Sequence, residues 1–142
     1  MTAHLIKVQF AKLLYIAPLA AIASAVVNSI LFYLFIQQGW IDQNILVHRE
    51  RLEVSHIIMA SVAPSLLAGV VFAIIGKFFQ SPFQVFAYVT IPLLLFTFIN
   101  PFAGIIGITL SMGIALNVMH ITVALFVLYL FKRYATQAEP GY

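Results

Sequence analysis

Four uninterrupted apolar stretches, separated by the chain's only polar clusters, constrain this sequence more than any other feature. They run over residues 13–36, 54–75, 82–99 and 109–131, each at or near the roughly 20 residues a helix needs to cross hydrocarbon. No Asp or Glu falls inside any of them. Continuous apolar segments satisfy their backbone hydrogen bonds in lipid only as helices, and the alternating ten-residue pattern of a membrane barrel is absent. The expectation is an all-α fold, a four-helix transmembrane bundle made by one domain of 142 residues. Composition agrees, with 63% hydrophobic and 8% charged residues where soluble domains carry about one quarter charged.

The few cations orient the bundle. Lys7 and Lys12 precede the first span, Lys77 follows the second, and Lys132 with Arg133 ends the fourth. An even number of spans puts all five on one side, which should be the cytoplasm, with both termini there. Arg49 and Arg51 lie in the loop on the other side, diluted by Asp42, Glu50 and Glu53. A net charge of +3 with no basic stripe gives no reason to expect nucleic acid. The absence of cysteine removes disulfides, thiolate metal sites and thiol nucleophiles together.

Local signals refine this frame. Ala21 to Ala23 form an A-x-A in a basic-then-apolar N-terminal segment, as in a cleaved signal, but the apolar run continues through "VVNSILFYLFI", so a retained helix is expected. Trp40 at the end of span one fits an interfacial anchor. In the following loop Ile41, Ile45 and Leu52 recur at helical spacing and suggest a short surface helix. The tail over residues 135–142 reads as frayed. Pro18, Pro64 and Pro92 each remove a helical hydrogen bond, free a carbonyl that a nearby Ser or Thr can satisfy, and can kink a span and widen the bundle's centre.

Each span carries one face of small or polar residues, the kind that lets helices approach in lipid. Span one has Ala17, Ala21, Ser24 and Asn28; span two Ser61, Ser65 and Gly69; span three Thr90, Thr97 and Asn100; span four Gly113, Asn117, His120 and Ala124. These faces should turn inward. A rise of 1.5 Å per residue puts His120 about 16 Å below the outer end of span four and Asn117 about one turn higher. The expected site is therefore a polar cavity open to the outside, centred on Asn28, Asn117 and His120, with Ser24 beside it and His56 and Asn100 near its mouth. The plainer reading makes the same residues interhelical hydrogen-bond glue, worth about 0.6 kcal/mol each.

Chemistry has little to work with. Without an acid in any span, acid–base or nucleophilic catalysis would rest on His120 alone, so no enzymatic activity is expected. Haem on His56 and His120 is disfavoured because those two lie about 3 Å and about 16 Å deep, and a metal site built from His48, His56 and His120 meets the same mismatch without a carboxylate nearby. No cofactor is expected. The expected partner is the lipid bilayer, with a homo-oligomer or another membrane protein as further partners. The expected function is to bind a small molecule or pass it through that outward-facing cavity; the alternative is an accessory subunit of a membrane complex, with Phe72, Phe79, Phe86 and Phe96 facing its partner.

The segments "AIASAVVNSILFYLF", "SVAPSLLAGVVFAIIG" and "IALNVMHITVALFVLYLFKR" resemble a family of small bacterial four-span membrane proteins classified as a domain of unknown function, with Asn28, Met119 and His120 in its loose motifs. That resemblance implies the bacterial cytoplasmic membrane and supplies no activity.

Overall fold

The structure is a computed structural model that describes residues 6–47 and 50–138. A short strand β1 (Ile6–Val8) leads into α1 (Phe10–Gln37), and a small hairpin of β2 (Leu46–Val47) and β3 (Glu50–Arg51) precedes α2 (Val54–Phe78). Then come α3 (Pro82–Thr97), α4 (Asn100–Gly104), α5 (Leu110–Tyr134) and β4 (Thr136–Ala138). With α3 and α4 counted as one span over Pro82–Gly104, four helices are long and apolar enough to cross a membrane. The protein is a four-helix transmembrane bundle.

The third span breaks where the sequence removes a donor. Pro101 has no N–H to give to the carbonyl of Thr97, and the chain tightens there through Phe98 N–H to Leu95 and Ile99 N–H to Phe96 at 3.3 and 3.2 Å. Thr109 then restarts the helix, its Oγ1 accepting the Met112 N–H at 3.2 Å as an N-cap does.

Two expectations for the connecting segments give way to strand pairing. The loop after α1 turns as a hairpin, with Leu46 opposite Arg51 and Val47 opposite Glu50, in place of a surface helix. Asp42 diverts it: its Oδ1 accepts the Asn44 backbone N–H at 2.8 Å, a turn that competes with helix. Ile41, Ile45 and Leu52 still face inward and pack with Phe32, Ile57 and Met112. At the opposite end of the bundle, Thr136–Ala138 of the expected frayed tail pair antiparallel with β1. Gln9 adds a backbone bond to Ala135 and a side-chain bond to Gln137, each 2.8 Å. Chain leaving α5 beside the entry to α1 finds partners for its backbone polar groups there. Residues 139–142 of that tail, and His48 with Arg49, lie outside the described residues.

Packing is uneven around the bundle. The close partners of α1 are α2 and α5, while α3 touches α2 and α5 lightly. Small residues set the close side: a Cβ placed on Gly69 would stand 2.7 Å from the Ala17 Cβ. Near the clasp of β1 and β4, Phe131 stacks on both Phe72 and Phe86, which tilt against each other, with ring centroids 5.0 to 5.6 Å apart. Phe72 and Phe86 are thus core residues of this chain and not partner-facing ones as expected, because the first turns of α3 lean onto α2 and α5 and need wide rings to fill the space. Phe79 and Phe96 are exposed. Beyond Phe86, α3 buries no further residue.

Candidate functional site

Asn28 anchors the middle of the bundle. Its Nδ2 donates to Ser61 Oγ at 2.9 Å and to the Met119 carbonyl at 3.1 Å, tying α1 to α2 and α5 at once. The Met119 carbonyl can only accept, which fixes the amide's orientation. Oδ1 is buried without a partner. One and two turns along the same seam, Ser65 donates to the Ser61 carbonyl at 2.7 Å, and Ser24 Oγ lies 3.5 Å from Ser65 Oγ while donating to Ala21 at 3.1 Å. Ser61 donates to Ile57 at 2.8 Å. Each hydroxyl is satisfied by its own helix or the next, as buried polar groups must be. None of these serine hydroxyls reaches the Ala60 carbonyl, which Pro64 leaves without its usual i+4 donor.

His120 sits about 15 Å of helical rise from Leu110, near the middle of α5. Its Nδ1 is 2.8 Å from the Leu116 carbonyl. A carbonyl only accepts, so in the neutral imidazole the proton is on Nδ1 and Nε2 is an acceptor.

Asn28 and His120 line one cavity of about 260 Å³ between α2, α3 and α5, and Asn28 is the only residue of α1 that reaches it. Ser61, Thr90 and Thr97 are its other polar side chains; the rest of the lining is apolar, including Leu94, Met119 and Val123. The cavity exists because α3 is held at its ends and not between them. The three-ring stack holds one end, and at the other Asn117 Nδ2 donates to the Phe98 carbonyl, exposed at the break in the span, at 3.3 Å. Lining residues Leu67 on α2 and Leu93 on α3 are 63% and 59% exposed, so the cavity opens sideways between those helices, at a height where acyl chains cover the protein.

The six expected site residues therefore part company. Asn28 and His120 come together. Ser24 is buried in the α1–α2 seam, and Asn117 is turned to the break in the third span, its own Oδ1 buried and unpartnered. Asn100 is exposed at the start of α4. His56 serves the start of α2: its Nδ1 accepts the Glu53 backbone N–H at 3.3 Å, and its Nε2 lies 3.4 Å from Glu50 Oε2. Helical spacing places Asn117 and His120 on neighbouring arcs, yet α3 crosses between those arcs, so one faces the break and the other the gap. The apolar lining carried no polar signal to find it by; of the three prolines expected to widen the bundle's centre, Pro64 is the one found in the lining.

A profile described as a family of unknown function (DUF6069) matches residues 10–137. No curated protein and no solved structure matches the chain.

Proposed function

The chain belongs to DUF6069, a family of unknown function, and from its own geometry we propose that it binds, without altering, a small apolar molecule drawn sideways from the bilayer into the cavity between α2, α3 and α5. The observation that carries this is the lateral opening at mid-span: a void of this size on the lipid side forfeits the contacts of its lining unless something fills it. A mostly apolar wall with a few placed polar groups is the usual make-up of a small-molecule site. Support for the absence of catalysis is that His120 is the only titratable side chain in the lining and its Nδ1 is already engaged.

The proposal includes an orientation. The β1–β4 pairing brings the segments before α1 and after α5 to one end of the bundle, and Lys7, Lys12, Lys77, Lys132 and Arg133 belong to that end, against Arg51 among the described residues of the other. The excess of cations argues for a cytoplasmic location of the termini and, with the resemblance above, for the bacterial cytoplasmic membrane.

Ala68 lines the cavity from α2 and is partly buried, so Ala68→Phe should fill it. Solvent extracts of purified wild type, analysed by mass spectrometry, are expected to contain an apolar small molecule enriched over the surrounding lipid, and the variant's extract to lack it. Identical extracts from the two proteins would overturn the reading. The accessory-subunit reading draws on the exposure of Tyr88 and Phe96, 76% and 72%, along α3; a helix from another chain seated there would cover the opening, and would show as a fixed additional mass in native mass spectra.

A further inference from the structure

We propose that the polar group of the bound molecule is a hydroxyl that donates to Nε2 of His120; this rests on the binding reading above and specifies the class of ligand. Every polar hydrogen that the two side chains own is already placed. Asn28 gives both amide hydrogens away, to Ser61 and to the Met119 carbonyl, and His120 gives its Nδ1 hydrogen to Leu116. Their remaining atoms are both acceptors. Asn28 Oδ1 is unpartnered but enclosed by protein on every side, whereas Nε2 of His120, whose ring lines the cavity, makes no hydrogen bond among the described residues. Because Asn28 bonds to the carbonyl of Met119, the residue before His120, the amide lies against the backbone that carries the ring.

Of the three hydroxyls in the lining two are committed, and the third, on Thr90, sits one turn from Phe86, whereas His120 is three turns from the Phe131 ring that Phe86 packs against. Ser61 donates to Ile57, and Thr97 donates to Leu94 at 2.7 Å. A ligand whose polar end is an ester, an ether, a ketone or a phosphodiester brings acceptors to acceptors and leaves lone pairs facing each other, a cost each buried group bears in full. A cationic donor fails for a different reason: no carboxylate lines the cavity to balance it. What fits is a neutral, chain-like or ring-like molecule whose hydroxyl gives Nε2 its hydrogen.

Three probes of equal chain length separate these cases: 1,2-dodecanediol, 1-dodecanol and methyl dodecyl ether, titrated into the detergent-purified full chain and read by native mass spectrometry and by the shift of the melting temperature. Wild type should hold the diol and the alcohol about ten-fold more tightly than the ether, the worth of one buried hydrogen bond. In His120→Phe, which keeps a flat ring without an acceptor, the three should bind within about two-fold of one another, at the ether's strength; this variant leaves Asn28 in place, so folding is not the variable. An ether that matches the alcohol in wild type overturns the hydroxyl assignment, the acceptor then being met by water, and leaves the apolar cavity reading standing. Failure of wild type to retain any of the three more than Ala68→Phe does overturns both.

Discussion

The two sides of α2 are packed in opposite ways. Toward α1 it presents Ser61, Ser65 and Gly69, and the helices close until a Cβ on Gly69 would collide with Ala17; toward α3 it presents Ala60, Pro64 and Leu67, and there the helices stand apart around a cavity of about 260 Å³. In lipid no hydrophobic force draws helices together, so contact depends on how near the backbones can come and on polar groups that bond across. The α1 side has both. Along α3 neither is available between Phe86 and the break near Phe98, and the helix is held only at those points.

Gly69 and Ala68 are adjacent in the chain and face the opposite sides of this contrast, which makes them the sharpest test of it. Gly69→Val should be the most damaging change, costing about 1–3 kcal/mol or more because the added carbons have nowhere to go; unfolding in mild detergent measures it, and an unchanged midpoint would mean the seam is looser than it is drawn here. Asn28→Leu comes next. It unties α1 from Ser61 and Met119 together, and about 1–2 kcal/mol is expected from the range seen for hydrogen bonds between membrane helices, with the same loss in protein saturated with 1-dodecanol and in protein stripped of ligand. A larger loss in the saturated protein would mean that the ligand bonds Asn28 as well. The smallest effect belongs to Ala68→Phe, whose ring enters empty space: stability should hold or rise by up to about 1 kcal/mol, as cavity-filling changes commonly do, and a loss comparable to that of Gly69→Val would show that the cavity is not where the helices part.

How far the sequence could be read depended on what kind of signal each feature left. Ser24, Asn28, Ser61, Ser65 and Gly69 were visible as an inward stripe because small and polar residues in an apolar helix have few other reasons to recur on one arc, and all five are buried. Most of the cavity left no such mark. Apart from Asn28, Ser61, Thr90, Thr97 and His120 its wall is apolar, largely Leu, Val and Ala, the same residue types that face lipid elsewhere, so composition cannot tell that part of a lined cavity from a lipid-covered surface. His56 looked like a site residue for lack of any view of Glu50 and Glu53, whose contacts give it a place at the start of α2. Phe72 and Phe86 looked outward because large rings on a span usually do; only the approach of α5 with Phe131 made them a core.

By itself the sequence determined the solvent, the number of crossings and the inward arc of each helix, since hydrocarbon thickness and the need to satisfy backbone groups leave a chain of this pattern no other form. Which arcs meet was decided in three dimensions. Asn117 and His120 share a face on α5 but not a neighbour, because the third span breaks at Pro101 and presents the Phe98 carbonyl to one and open space to the other. Helical periodicity carries the direction of a side chain, and only the placement of the next helix settles what stands opposite it.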